Sequence, residues 1–285
     1  MDVSIIIVNY NTCDLTLQCL QSVYEKTINI DFEVIVVDNA SSDDSVSAIR
    51  QQYSQVQVIE SPKNLGFGMA NNLGVKSARG KYLFLLNSDT ILQNNSVYEF
   101  FRYWNESDNV HIGCLGSYLE NIHGRNIHSF GVFPFFFRFL KHKIFGCRCK
   151  PLTQGEYAVD YITGADLFIS RENFMKVGMF NPLFFMYYEE TWLQLQLSRL
   201  KLDRIIIPSP KIVHLEGCSY KQKLSNKKRI QMDVSLFVFW KLYYGKIVGF
   251  VLSLLYLGLK IPVFFKSEYT FDDNKNYYKS VIKSL

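Results

Sequence analysis

Val3-Ser-Ile-Ile-Ile-Val-Asn9, followed by the turn Tyr10-Asn-Thr12, decides the fold. A continuous apolar run that stops at a polar turn suits a strand covered on both faces, as in a parallel sheet. Phe32–Asp38 repeats the pattern and Lys81–Asn87 repeats it again. Helical patterns lie between. Cys13, Leu17, Leu20 and Tyr24 form one stripe. Val46, Ile49 and Tyr53 form another, opened by Ser41 or Ser42 with Asp43 and Asp44 in its first turn. Residues 66–79 read as a third helix, leading through Gly80 into the next strand. The first ~90 residues therefore alternate β-α-β-α-β-α-β, which predicts an α/β fold with a mostly parallel central sheet flanked by helices. A second α/β stretch, about 156–216, holds Tyr161–Arg171 and a helix from about Glu189.

In such folds ligands bind beyond the carboxyl ends of the strands. Those ends are Asn9–Asn11, Asp38–Asn39 and Asn87–Asp89, all polar. The first lacks the G-x-G-x-x-G that lets a pyrophosphate approach the backbone, which disfavours a nicotinamide enzyme. Tyr10 between two amides suits a nucleobase, or simply a polar turn. Asp38 can accept from a base or a ribose, or cap the local turn. Asp89, in Asn87-Ser-Asp-Thr90, can hold a divalent cation against phosphate oxygens, or close an Asx turn. Glu189 and Glu190 follow the aromatic run Phe184–Tyr188. A carboxylate beside aromatics has a route to the raised pKa of a general base; acids also suit any first helical turn. His214, after a short strand, reads either as a metal or phosphate contact or as a core histidine.

Taken in order, Ser4-Ile-Ile-Ile-Val-Asn-Tyr-Asn-Thr12, Val34-Ile-Val-Val-Asp-Asn-Ala-Ser-Ser42, Asn64-Leu-Gly-Phe-Gly68 with Asn71 and Asn72, and Leu86-Asn-Ser-Asp-Thr90 resemble the family 2 glycosyltransferases of GT-A fold. Ile162-Thr-Gly-Ala-Asp166, Phe185-Met-Tyr-Tyr-Glu-Glu190 and Val213-His-Leu-Glu-Gly217 continue the resemblance, which covers about residues 3–217. The branch it is most similar to is that of the rhamnosyltransferase-like enzymes of bacterial surface polysaccharide assembly. The resemblance implies an inverting transfer from a nucleotide-diphospho-sugar donor to a lipid-linked or glycan acceptor. Asn9, Asn11 and Asp38 would contact the nucleoside, and Asn64, Gly66 and Asn72 would shape its pocket. Ser88, Gly164, Ala165 and Glu189 would complete the substrate contacts. Asp89 and His214 would hold Mg²⁺ or Mn²⁺ on the diphosphate, and Glu190 would be the base. Three positions depart from the pattern: Asn87 replaces the first acid of Asp-x-Asp, Trp192 stands where a second acid is frequent, and Gln196 where an arginine is common. These departures keep open a non-catalytic nucleotide-sugar-binding or membrane scaffold. A nucleotidyltransferase would normally show a glycine-rich basic loop after the first strand, and Asn9–Thr12 has neither feature.

Charge divides the chain. Residues 1–120 carry 7 Lys+Arg against 14 Asp+Glu, and residues 121–285 carry 24 against 12. The basic, aromatic half suggests nucleic acid or an anionic membrane surface, and the acidic half argues against a chain built wholly to coat nucleic acid. Phe133, Phe135, Phe136, Phe137 and Phe139 interleave with Arg138, Lys141 and Lys143, in an insertion of about 131–150 without an acid, which suits either an anionic interface or a small flap packed on the core. Ile247–Leu259 is an uncharged run of 13 residues with Lys241, Lys246, Lys260 and Lys266 around it. A spanning helix needs ~20 residues, so the expectation is a helical segment lying at the interface, with a spanning helix or a buried packing helix as the alternatives. The expected organisation is a catalytic domain over 1–217, with a nucleotide half 1–92 and an acceptor half 93–217, then a basic and apolar helical region over 218–285. Six cysteines without paired C-x-x-C spacing, the lone Cys147/Cys149 pair included, disfavour a zinc site. Only Met1 and Asp2 precede the first apolar run, so the expectation is free thiols and a cytoplasmic protein, peripheral at the inner face of the plasma membrane.

Overall fold

The computed structural model describes residues 1–108, 110–145, 155–215, 225–262 and 269–285. Cys147, Cys149, Glu216, Gly217, Cys218, Lys221, Lys223 and Lys266 lie outside the described residues, as does the side chain of Lys143.

The alternation expected from the sequence is present as β1 (Val3–Asn9), α1 (Cys13–Lys26), β2 (Phe32–Asp38), α2 (Ser45–Gln52), β3 (Gln57–Glu60), α3 (Phe67–Ser77) and β4 (Tyr82–Asn87). These four strands are parallel, with Ile5 opposite Val34 and Phe84. Alternate residues of β1 enter different cores. Ile5 and Ile7 pack with Cys19, Leu20 and Val23 of α1, and Ile6 packs with Ala70 and Val75 of α3. That two-sided burial is why the strand is an unbroken apolar run. Helix α2 starts later than Ser41 or Ser42: Asp43 turns back to accept from the Ser45 amide and hydroxyl, so the acids precede the helix.

The chain continues as β5 (Thr90–Leu92), α4 (Ser96–Glu106), β6 (Ile112–Glu120), β7 (Phe130–Gly131), α5 (Phe136–Phe145), β8 (Tyr157–Ala158), β9 (Tyr161–Ile162), β10 (Asp166–Ser170), α6 (Arg171–Lys176), α7 (Glu189–Arg199) and β11 (Asp203–His214). The main sheet runs β3-β2-β1-β4-β10-β6-β11-β5, with β8 beside β11. Strand β10 is antiparallel to both β4 and β6, and β5 and β8 are antiparallel to β11. The sheet is therefore mixed, which corrects the mostly parallel expectation. His214 ends a strand of 12 residues, not a short one.

Three further helices, α8 (Asn226–Tyr244), α9 (Lys246–Leu259) and α10 (Phe271–Lys283), do not form a detached appendage. Leu236, Phe239, Trp240, Tyr256 and Tyr277 share a third core with Phe133 and Phe136 of the insertion and with Phe184 and Leu195 of the α7 region. The Trp240 indole donates to the Pro134 carbonyl at 2.7 Å. Among the described side chains of the aromatic insertion Phe133 and Phe136 are buried in this core, Phe135 and Phe139 are half-buried, and Phe137 is exposed. Among the described residues no helix is long and apolar enough to cross a membrane.

Two of the lysines expected at a membrane surface are engaged internally. Lys241 donates to the Leu285 carbonyl, and Lys260 pairs with buried Asp233, which also accepts from Tyr277. Removing one partner of such a pair strands the other charge in a poor solvent, at a typical cost of ~3–5 kcal/mol. Asp233→Ala is expected to lower unfolding free energy by about that amount in urea titrations. The double variant Asp233→Ala/Lys260→Met should recover most of the loss. Equal stability of the single and double variants would show that the pair is not what matters there.

Candidate functional site

The parallel register sets Asn9 opposite Asp38 and brings Asn87 alongside at Val8, so three polar turns meet at one sheet edge. Asn9 is fully buried and its amide is saturated. It donates to Asp38 Oδ1 (2.8 Å) and Ser41 Oγ (3.0 Å), and accepts from Thr12 (2.9 Å) and Thr16 (2.7 Å). A side chain with both donors and both acceptor positions in use braces the turn and has none left for a nucleoside. Asn11 remains exposed, in the left-handed region at φ 54°, its Oδ1 taking the Ser42 amide at 2.7 Å. Asp38 accepts from Asn9 and from the Ser41 amide (3.0 Å), which leaves acceptor capacity on both oxygens.

Asn39, which the sequence marks only as part of a polar strand end, ties the second turn to the next loop. Its Nδ2 donates to Asn64 Oδ1 (3.0 Å) and its Oδ1 accepts the Leu65 amide (2.8 Å). Gly66, at φ +80°, caps α3. A Cβ there would stand 2.0 Å from the Phe185 carbonyl, so only glycine lets the loop close on the segment before α7. Asn72 points elsewhere than expected. It donates to the Phe180 carbonyl (2.9 Å) and accepts its amide (3.1 Å), acting as a backbone clamp between α3 and the 180s loop.

The antiparallel pairing of β11 with β5 sets His214 opposite Thr90 and so beside Asp89. His214 Nε2 lies 3.1 Å from Asp89 Oδ1 and 3.5 Å from Asn87 Nδ2. Ser88 Oγ is 3.2 Å from Thr12 Oγ1, which joins this turn to the first. Asn87 donates its amide to the Ala165 carbonyl at 3.0 Å, so Ala165 contributes through its backbone. The next residue, Asp166, was quoted in its motif but given no role. It is wholly buried, accepts the Ser117 amide and hydroxyl at 2.7 and 2.6 Å, and is pushed up to about 7 by desolvation.

Tyr187 and Tyr188 both have left-handed backbone, at φ 69° and 66°, a conformation uncommon outside glycine and concentrated at functional sites. The double turn starts α7 with its two acids first. Glu189 is 3% exposed and lies against α3 near Gly68, and its Oε2 has no hydrogen-bond partner among the described residues. Glu190 is half-buried beside Gly164, where a Cβ would approach the Phe67 ring at 3.2 Å and Glu190 Cβ at 3.8 Å. Burial raises both carboxyls, Glu190 to about 7 and Glu189 well above the ordinary range, with repulsion from Glu190 adding to the latter. Gln194, also not foreseen, fixes α7 by exchanging 2.7 Å bonds with the Ile162 amide and carbonyl. Trp192 faces α8, 5.6 Å from the Phe239 ring, and Gln196 accepts from Arg199 at 3.0 Å; both work in packing.

Hydrogen bonds link the turns to one another: Asn9 to Asp38, Asn39 to Asn64, Thr12 to Ser88, Asn87 to the Ala165 carbonyl and His214 to Asp89, with Glu190 beside Gly164.

The sequence profile of Glycosyl transferase family 2 matches residues 4–156, more than half of the chain. The chain belongs to this family. A poly(ribitol-phosphate) beta-glucosyltransferase of Bacillus spizizenii is 32% identical over 133 residues, 45% of this chain and 20% of that protein. Glycosyltransferase GlyG of Streptococcus pneumoniae is 28% identical over 123 residues, 42% of this chain and 40% of that one. The chain thus spans well under half the length of these curated relatives. The mannosyltransferase PcManGT from Pyrobaculum calidifontis, solved with GDP-Man and Mn²⁺, superposes with a TM-score of 0.60 at 15% identity, over 98% of this chain and 85% of that one. The family 2 chain therefore has the GT-A fold, with a mixed central sheet and flanking helices.

Glu189 also makes a stability prediction. A carboxyl raised by folding binds its proton more tightly in the native state than in the unfolded chain. Native stability therefore falls as pH rises above the ordinary carboxyl value of 4.5. Glu189→Gln is expected to flatten this decline, with a Tm at pH 8 at or above that of the parent. A parallel decline in both proteins would place the buried charge elsewhere.

Proposed function

We propose that the protein is an inverting sugar transferase that uses a nucleotide-diphospho-sugar donor and a divalent cation, Mg²⁺ or Mn²⁺, in surface polysaccharide synthesis. One observation carries the reading: the carboxyl of Glu190, raised by burial, stands beside Gly164, and the next residue, Ala165, accepts the backbone amide of Asn87 in the turn that carries Asp89. Glu190 takes the proton from an acceptor hydroxyl as that hydroxyl attacks the anomeric carbon, and the single displacement inverts that centre. Asn11 and Asp38 receive the nucleoside, with Asn64 and Gly66 shaping the pocket wall. Glu189, buried against α3, stays out of the proton transfer.

The donor set at Asp89 and His214 fits a cation shared with substrate. Among the described residues no group of three or more His, Cys, Asp or Glu could hold a metal. One carboxylate and one imidazole leave the remaining positions to diphosphate oxygens and water, as small divalent cations favour. When bound, the cation neutralises charge on the departing diphosphate. Neighbours solved with UDP or with GDP-Man and Mn²⁺ support a donor of this class.

The sugar is a hexose or deoxyhexose, rhamnose included, and the acceptor is a glycan or a lipid-linked glycan. The names of the poly(ribitol-phosphate) glucosyltransferase and of the mannosyltransferase widen the donor choice beyond rhamnose. A donor screen with purified protein and Mn²⁺, comparing uridine, thymidine and guanosine diphospho-sugars, tests the reading. Release of nucleoside diphosphate from one donor class is expected. Binding without any turnover, even slow hydrolysis, would favour a non-catalytic nucleotide-sugar-binding protein.

A further inference from the structure

After Lys246, helix α9 carries no charge and is apolar on both its inner and its outer face. Its inner residues Gly249, Ser253, Tyr256 and Leu257 are buried against the rest of the third core. Its outer residues Ile247, Val251, Leu254, Leu255 and Leu259 recur at the three- and four-residue spacing of one helix face and are exposed, Ile247 by 81% and Leu259 by 60%. An apolar groove of about 570 Å³ runs along this face, with Phe136 and Leu140 of α5 as its other wall. Beside it Phe137 stands 80% exposed. A contiguous apolar surface of this kind marks an interaction site.

Charge says which occupant fits. Helix α5 carries Lys141 and no acid, its Arg138 being paired with Asp160, and residues 225–262 carry Lys227, Lys228 and Lys246 on exposed or half-buried positions. The one acid in 225–262, Asp233, is buried and paired with Lys260. A second copy would bring the same positive field against this face, which costs free energy. An anionic surface complements it. Fourteen helical residues rise ~21 Å, short of a ~30 Å hydrocarbon core, so this helix is too short to cross a bilayer.

We propose that the outer face of α9, with α5 beside it, docks the protein on an anionic lipid bilayer. The apolar residues enter the acyl chains, the groove admits a chain of the same leaflet, and the basic residues stay among the headgroups. Helix α8 connects this face to the turn that presents Glu190, since Ser235 donates to the Met186 carbonyl at 2.7 Å. The face and the sugar-transfer site are separate surfaces, so each can fail without the other.

The test is co-sedimentation of the full chain with vesicles of phosphatidylglycerol and phosphatidylcholine, against phosphatidylcholine alone. Binding to the anionic vesicles is expected to weaken in high salt and to be lost in alkaline carbonate. Val251→Glu/Leu255→Glu should lower affinity more than tenfold, while the melting curve and the affinity for nucleoside diphosphate stay those of the parent. Lys141→Glu/Lys246→Glu should remove the preference for anionic vesicles. Equal binding by the parent and the Val251→Glu/Leu255→Glu protein, retention after carbonate, or no binding to any vesicle would each overturn the proposal. So would a dimer of the parent that Val251→Glu/Leu255→Glu converts to monomer without any vesicle binding, which would make the face a self-interface.

Discussion

Glu190→Gln is expected to reduce turnover by ~10²–10⁴ while donor affinity stays within a factor of about two. That range corresponds to roughly 2.7–5.4 kcal/mol of transition-state stabilisation. The substitution keeps the shape of the side chain beside Gly164 and removes its ability to accept a proton. Burial raises the Glu190 carboxyl to about 7, and a base acts only when ionised. The rate is therefore expected to rise with pH through about 7 and then level off, and to be lost on the acid side. Glu189→Gln is the internal control, because Glu189 lies against α3 and is nearly inaccessible. Steady-state kinetics of both variants from pH 5.5 to 9 make the comparison (a range chosen to bracket about 7). A fully active Glu190→Gln protein beside a dead Glu189→Gln protein would move the base to the neighbouring residue.

How much of this was legible follows from what each pattern reports. The unbroken run of β1 signalled burial on both faces, and the structure divides it between two cores at alternate residues. Strand direction is a different matter. Asp166–Ser170 is five residues long, and nothing in its side chains says which way it crosses between β4 and β6. The sheet was therefore expected to be more parallel than it is. The aromatic-basic segment at 133–139 reads alike whether it meets lipid or protein. Its placement depends on partners about a hundred residues away, such as Trp240 at the Pro134 carbonyl.

The site shows the same division. Polar residue types at the strand ends marked the turns that gather at the carboxyl ends of β1, β2 and β4, because a covered sheet leaves its polar groups at the strand ends. The roles within these turns were less legible. Asn9 and Asn72 looked like ligands for a nucleotide, yet one is saturated by its own turn and the other by the Phe180 backbone. Asn39 and Gln194 do comparable bracing and carried no separate signal, since an amide reads the same in either role. Lys260 was expected at a surface because its only acidic counterpart, Asp233, lies 27 residues before it and meets it only once α8 and α9 pack together.

Asp89→Ala is expected to abolish the part of nucleoside diphosphate affinity that depends on Mn²⁺. Among the described residues no cluster of three or more His, Cys, Asp or Glu could hold the cation. Asp89 is the one acid in Asn87-Ser-Asp89, where Asn87 brings an amide in place of a carboxylate. His214 is held against Asp89 at 3.1 Å by the pairing of β11 with β5, so the two donors form one unit. With a single carboxylate, a cation gains most of its ligands from the diphosphate, and neither should bind tightly without the other. Titration calorimetry of UDP, with and without Mn²⁺, should show strong synergy in the parent and none in Asp89→Ala. His214→Ala should weaken the synergy, because the remaining carboxylate still reaches the cation. Asn87→Asp should strengthen it, since a second carboxylate would then stand beside the first. Metal-dependent affinity unchanged in Asp89→Ala would place the cation elsewhere, and leave Asp89 as the residue that closes the turn and accepts the Leu215 amide at its carbonyl.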